Sequence, residues 1–196
     1  INHAGVSPHS GEHKTTNHKG AIDFPEAINL YLKEEKAKGA VIGPFSKNPF
    51  SCPIAINPLN TCPKRDSEER RVIMDLSFPP GESVNDRILK DTYLGNPFKL
   101  TLPTVDSIVD MIKIKGRGCA IFKRDLRRAY PQLPVDPGDV HLLGYKWGRK
   151  MYFDTVLPMG LRSSALCCQG ATNLIAHICH LQNLCVTNYL DDFIGV

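Results

Sequence analysis

Two aspartates stand side by side near the end of this 196-residue chain, at Asp191 and Asp192, between apolar, β-forming residues. Adjacent residues of a regular strand point to opposite faces, so both acids can share one task only at a tight turn. Val186 and Tyr189-Leu190 precede them and Phe193-Ile194 follow, which predicts a β-hairpin with the acids at its tip. Two anions held this close repel each other, and a divalent cation relieves the repulsion. The pair is thus a candidate Mg²⁺ site for phosphoryl chemistry; the competing reading is a solvated Asp-Asp turn. Asp125 bears on the choice. It follows the apolar run Cys119-Ala120-Ile121-Phe122, which predicts a buried strand leading to a strand-terminal acid. If the two strands are neighbours in one sheet, three carboxylates converge, as two-metal nucleotidyl transfer requires. Mg²⁺ binds a few carboxylates along with water and substrate phosphates, so three acids suffice.

The elements that must position these acids are legible along the chain. Residues 1–20 are polar, contain Gly and Pro, and predict a flexible arm. His3, His9, His13 and His18 crowd this arm, but its lack of apolar periodicity argues against a metal site there. Asp23, Pro25 and Glu26 predict a helix start, and Gly39 its end. Val41 to Pro63 is rich in Pro and Asn and reads as extended or looped. Arg71-Val72-Ile73-Met74-Asp75-Leu76 reads as a strand. Thr104 to Ile114 carries Val105, Ile108, Val109 and Ile112 at helical spacing, with Gly116 and Gly118 to stop it. Leu133 to Val135, Leu142 to Trp147 and Met151 to Val156 predict further strands. Ser163 or Ser164 caps a helix reaching about Leu181, and Val186 to Val196 forms the closing hairpin. Strands and helices mix without strict βαβ alternation, which predicts an α+β fold.

Composition is that of a globular protein, with 42% hydrophobic and 22% charged residues. No apolar run approaches the roughly 20 residues of a membrane helix, and no signal peptide opens the chain. The expected setting is intracellular, cytoplasmic or nuclear, with no membrane partner. The 24 Lys and Arg exceed the 20 Asp and Glu by four, a mildly basic balance, and several basic pairs flank the acids. Seven cysteines with no CxxC pair predict buried, reduced thiols. Ile1 in place of Met, and an end inside an apolar strand, lead us to expect part of a longer protein.

Taken in order, these segments resemble the fingers and palm of a reverse transcriptase. Arg71-Val72-Ile73-Met74-Asp75-Leu76-Ser77 resembles the fingers motif, and Asp125 to Tyr130 resembles motif A. Leu157-Pro158-Met159-Gly160-Leu161-Arg162-Ser163 resembles motif B, and Tyr189-Leu190-Asp191-Asp192 the motif C tetrad. Gly81-Glu82-Ser83-Val84-Asn85 and Gly43-Pro44-Phe45 are most similar to the DIRS group, retrotransposons that carry a tyrosine recombinase. Four ordered motifs at plausible spacing are a stronger signal than any one of them. The resemblance spans about residues 20–196. It implies a right-hand polymerase with an antiparallel palm sheet packed on helices, truncated before the thumb. The divisions expected are a flexible arm at 1–20, fingers at 21–100, palm with motif A at 101–132, a return to the fingers at 133–160, and palm with motifs B and C at 161–196.

The same resemblance implies roles. Asp125, Asp191 and Asp192 match the catalytic carboxylates that hold two Mg²⁺ ions, or Mn²⁺ in their place, with the Leu126 carbonyl as a further ligand. Tyr130 matches the aromatic that packs under the incoming sugar and excludes a ribose 2′-hydroxyl. Arg71, with Lys64 or Arg65, matches the triphosphate clamp; for Arg65 and Arg70 a solvated basic loop is an equal alternative. Met159 and Gly160 fall beside the nucleotide, and Arg162 and Tyr189 beside template and primer. The implied partners are an RNA template, a DNA primer, dNTPs, and the thumb and RNase H of the same polyprotein. Met159, Ser164-Ala165, Cys167-Cys168 and the basic Arg127-Arg128 depart from the family pattern without removing a metal ligand. Three alternatives stay open: a related polymerase such as a telomerase-like or intron-encoded one, a decayed domain that only binds nucleic acid, and a carboxylate metal-binding domain.

Overall fold

The computed structural model describes residues 16–65, 67–90, 92–93, 95–97 and 99–196. In chain order its elements are α1 (Lys19–Asp23), α2 (Pro25–Ala37), β1 (Val41–Phe45), β2 (Leu59–Pro63), β3 (Arg70–Met74), β4 (Thr92–Tyr93) and β5 (Asn96–Pro97). There follow α3 (Val105–Lys115), β6 (Phe122–Asp125), β7 (Gly144–Trp147), β8 (Lys150–Asp154), α4 (Ser164–Leu181), β9 (Val186–Tyr189) and β10 (Asp192–Gly195). Helices and antiparallel strands are segregated rather than alternating, so the fold is mixed α and β as expected. The chain divides into two units. One runs to residue 90 and takes in 131–162; the other takes in the stretch up to 130 and residues 163–196.

The first unit is built on an antiparallel sheet in the order β1-β8-β7, with β2 and β3 paired as a separate ribbon. Phe153 of β8 and Tyr145 of β7 are fully buried, and the Phe50 ring meets Phe153 edge-on at 4.9 Å. Full burial of a side chain like Phe153 contributes roughly 1.5–3 kcal/mol. In α2, Ile28 and Leu32 lie one turn apart and are buried, which gives the helix its inward stripe. Gly39 follows at φ +73°, where a side chain would be strained.

Several expectations need correction here. Phe24, not Asp23, caps α2, and Asp23 ends the short α1. Phe24 holds that position without a side-chain capping bond, and its ring lies under the Arg70 guanidinium at 3.6 Å. Within the expected flexible arm, residues 16–20 are held: the Asn17 side chain binds the backbone of Leu59, and His18 meets Asp75 at 2.9 Å. Residues 1–15 lie outside the described set. The stretch Val41 to Pro63 contains two strands: β1 pairs with the distant β8, and β2 pairs with β3 just after it in the chain. Leu133 to Val135 forms no strand; only Pro134 bridges to Val156. Of the seven free cysteines only Cys168 is buried, and the rest are half-buried.

The second unit has an antiparallel sheet in the order β6-β10-β9. One face is covered by α4, through a cluster of Ala176, Val186 and Phe193 joined by Leu126 and Cys179. Thr104 and Ser107 form a reciprocal capping box on α3, and Gly116 ends that helix. The strand predicted at Cys119 to Phe122 is displaced to β6, and all four of its residues are exposed, because α4 packs over β9 and β10 rather than over β6. Among the described residues no helix is long and apolar enough to cross a membrane.

Candidate active site

The register of the second sheet brings the acids together. In β6 and β10, Asp125 pairs with Asp192, Arg124 with Phe193, Lys123 with Ile194 and Phe122 with Gly195. In β9 and β10, Tyr189 pairs with Asp192. Side chains alternate along each strand, and directly opposed residues share a face. Phe193 lies in the α4 cluster, so Arg124, Phe122 and Gly195 belong to that side. Tyr189, Asp192 and Asp125 therefore form one transverse row on the opposite face. The Phe122 ring lies over Gly195, so close that a Cβ on Gly195 would clash with it. That contact ties the strand carrying Asp125 to the strand carrying Asp192.

Asp191 sits in the turn rather than on the strand. The turn is two residues, Leu190 and Asp191, with Leu190 in the left-handed region at φ +53°. The Leu126 N–H donates to the Asp191 carbonyl at 2.9 Å, locking the residue after Asp125 to the turn. From below, buried Gln169 of α4 grips both arms of the hairpin. Its Oε1 accepts from Leu190 N–H at 2.7 Å, and its Nε2 donates to the Asn188 carbonyl at 3.0 Å and to Asn173 Oδ1 at 2.7 Å. Asn188, also buried, donates to Thr172 Oγ1 at 2.8 Å and Asn173 Oδ1 at 3.0 Å. The turn that presents Asp191 thus rests on a buried polar network in which both ends of the Gln169 amide are engaged.

Charge at the row is already partly balanced. Lys123 Nζ lies 2.8 Å from Asp192 Oδ2. This contact, then the nearby Asp125 and Asp191, hold the ammonium pKa above its ordinary value. Tyr130 also lies within reach of the turn. Burial raises its phenol pKa first, and the charges of Cys168, Asp191 and Tyr189 add to that. The donor set is chemically suited to Mg²⁺, since hard oxygens are its preferred ligands. The side chains themselves are not gathered: among the described residues no three His, Cys, Asp or Glu side chains form a group that could hold an ion. A cation does sit on Asp192, the Lys123 ammonium, which shows that the row accepts positive charge there.

The remaining predicted residues belong to the first unit. Arg71 is exposed on β3, paired with Cys62. Lys64 is ion-paired with Glu69, which the lysine holds below the usual carboxylate range, and Arg65 is exposed. Arg70 lies on β3 and binds Thr61 Oγ1 at 2.8 Å and the Thr61 carbonyl at 3.1 Å, over the Phe24 ring. Met159 is exposed beside Gly160, whose φ of +95° favours glycine. Asn85 organises this loop, donating to the Gly160 carbonyl and Ser77 Oγ at 2.8 Å each and accepting from Arg162 N–H at 2.7 Å. The Arg162 guanidinium, expected at the template, donates to the Ile88 carbonyl at 2.8 Å. Gln169, Asn188 and Lys123 were not singled out by the sequence as parts of the site. Their signals were a buried-helix glutamine, a strand asparagine, and a lysine two positions before Asp125.

No family model matches the chain, and no curated protein matches its sequence. Solved structures do match. The foamy viral protease-reverse transcriptase dRH in complex with double-stranded DNA aligns with a TM-score of 0.70 at 15% identity, over 98% of this chain and 28% of that one. A second foamy viral protease-reverse transcriptase, also with double-stranded DNA, aligns at 0.68 and 15% identity, over 98% of this chain and 36% of that one. The native prototype foamy virus enzyme aligns at 0.61 and 18% identity, over 96% and 23%. The chain therefore has a reverse-transcriptase-like fold, and it spans about a quarter to a third of the length of these proteins.

Proposed function

We propose that this chain is the fingers and palm of an RNA-directed DNA polymerase from a retrotransposon, of the group that carries a tyrosine recombinase. The observation that carries the reading is the transverse row: Asp125 opposite Asp192 on adjacent antiparallel strands, with Asp191 in the joining turn. The neighbouring structures are of reverse transcriptases, two of them bound to double-stranded DNA, which supports a nucleic-acid partner for this fold.

In this reading Asp125, Asp191, Asp192 and the Leu126 carbonyl would hold Mg²⁺ or Mn²⁺. Such an ion would supply Lewis-acid chemistry for a primer 3′-hydroxyl and a leaving pyrophosphate. The protein's own part is placement. Gln169 and Asn188 fix the turn so that Asp191 does not wander. Tyr189, on the row and exposed, faces the primer end. Tyr130 presents its ring to the sugar of the incoming dNTP, where a 2′-hydroxyl would clash. Arg71, with Lys64 and Arg65, binds the triphosphate by charge, with Arg71 as the fork-shaped donor. Met159 and Gly160 offer a backbone edge to the nucleotide, and Arg162, braced by Asn85 and Ile88, supports that loop beside the template. The remaining partners are an RNA template, a DNA primer, and the thumb and RNase H of the same polyprotein.

Most nucleic-acid affinity comes from phosphate contacts, and the regions outside this chain in its structural neighbours would add many. The chain by itself should extend a poly(rA)·oligo(dT) primer by single additions at best. The test is single-turnover addition of dTTP with Mg²⁺ at enzyme in excess, with Asp191→Asn beside the parent. Addition that depends on Asp191, with RNA–DNA binding retained in the variant, is the expected result. Addition indifferent to Asp191 would sink the mechanism. Binding without addition in the parent, and unchanged in the variant, would favour a decayed element-derived domain that only binds nucleic acid.

A further inference from the structure

We propose that Lys123 is a built-in counter-cation of the carboxylate row, holding Asp192 until a divalent ion takes its place. The inference rests on the metal-site reading above and adds the group that such an ion must displace.

Lys123 and Asp125 are two residues apart on β6, so they share a face. Lys123 is paired with Ile194, two residues along the strands from the Asp125–Asp192 pair and on the same face. Its side chain has only to lean along the strand, and Nζ reaches Asp192 Oδ2 at 2.8 Å. The oxygen that carries the ammonium is thus one that a metal at this row would use. An ammonium at hydrogen-bond distance and a directly coordinated divalent ion cannot share that oxygen without close cation–cation repulsion. The two partners differ in freedom: the lysine side chain is 62% exposed and the aspartate side chain 34%. The lysine can swing into water, where its head is well hydrated, whereas the aspartate is fixed by the sheet. A single exposed ion pair is weak, which makes the exchange reversible.

Arg124 supplies the control. It carries the same charge one residue further along β6, but it is paired with Phe193 and so lies on the α4 side. Its guanidinium donates to the Lys123 carbonyl at 3.0 Å rather than to an acid of the row. If only the general electrostatic field matters, neutralising either cation should act alike.

Mn²⁺ binding to the full chain, followed by electron paramagnetic resonance at fixed ionic strength, separates the cases. Lys123→Met and Lys123→Gln should both tighten the Mn²⁺ site about tenfold, Arg124→Gln by less than about twofold, and Asp192→Asn should weaken it. Two lysine variants guard against a folding artefact in one, and thermal unfolding reports on both. An Asp192-dependent site whose affinity is unchanged in both lysine variants overturns the proposal alone, as does an equal gain in Arg124→Gln. No Asp192-dependent Mn²⁺ site in either parent or lysine variants overturns the metal-site reading itself, and the proposal with it.

Discussion

Replacing Gln169 by Leu tests whether the acidic turn is held from beneath. The side chain is 3% exposed and makes three hydrogen bonds within 3.0 Å. Leu has a similar bulk, so the substitution leaves little void and removes mainly polar partners. Leu190 N–H and the Asn188 carbonyl both lose the group that satisfies them, and Asn173 loses a donor. A buried polar group left without a partner costs about 1–3 kcal/mol. Leu190 is only half-buried, so water can replace part of its loss. Counting Asn188 in full and Leu190 at about half gives roughly 1.5–4.5 kcal/mol, with a gain of under ~1 kcal/mol from the added apolar surface working against it. The loss is local to one unit, so a global unfolding midpoint is a poor reporter for a two-unit chain. Native-state hydrogen exchange at the Leu190 amide reads it directly. A loss of about 2 kcal/mol should speed that exchange roughly thirtyfold, while amides of β7 and β8 in the other unit keep their rates. Gln169→Glu keeps the acceptor for Leu190 but places a carboxylate against the Asn188 carbonyl, so it should fare no better. Unchanged exchange at Leu190 in Gln169→Leu would refute the claim that this glutamine positions the turn.

Three further outcomes are expected, two from the first unit and one from the proposed role of Tyr130. Asp154 is fully buried, and burial, then the charge of Glu35, pushes its carboxyl up to about 7. A carboxyl whose folded pKa is raised stabilises most below its unfolded value and loses that contribution as pH rises, so thermal stability should fall between about pH 4 and pH 7, by at most ~1.4 kcal/mol per pH unit, and Asp154→Asn should flatten the slope. Asn85→Leu strips the Gly160 carbonyl, Ser77 and Arg162 N–H of their shared partner and should cost about 2–4 kcal/mol in urea unfolding of that unit; a loss below ~0.5 kcal/mol would contradict the bracing role. Tyr130→Ala should raise incorporation of UTP relative to dTTP by at least about tenfold, and an unchanged ratio would remove Tyr130 from the sugar site.

The sequence shows local features well and long-range ones poorly, for physical reasons. The α3 boundaries were readable because Thr104, Ser107 and Gly116 act within a turn of the helix ends they define. The closing hairpin was readable because its register is set by its own two-residue turn. Asp23 misled because it closes the short α1, one residue before Phe24 takes the N-cap position of α2, and the stacking of Arg70 on Phe24 joins positions far apart in sequence. β1 was hidden for the same reason, since its partner β8 lies far along the chain, whereas β2 pairs with the nearby β3 and was hidden by its own Asn and Pro. Apolar character placed the strand of Asp125 too early: Cys119 to Ile121 precede it, whereas Phe122 to Asp125 make the ladder. The pairing of Asp125 with Asp192 was open to inference only as a condition, that two strands be neighbours. Nothing in either segment alone states that they are.

The left-handed Leu190 shows why the turn needs support that sequence pattern does not display. A non-glycine residue at φ +53° is disfavoured by roughly 1–2 kcal/mol, and a bulky one has no side-chain bond of its own to offset this. Such a conformation persists when its surroundings determine it more strongly than its own preference does. Here three constraints converge on two residues. Gln169 holds the Leu190 N–H, Leu126 N–H holds the Asp191 carbonyl, and the Tyr189–Asp192 pair closes the strands on either side. Each constraint comes from a different segment, α4, the stretch after β6, and the hairpin itself. Releasing any one leaves the other two to bear a strained residue next to Asp191. The position of that carboxylate is therefore a property of the whole second unit, although the two acids that announce it are adjacent in sequence.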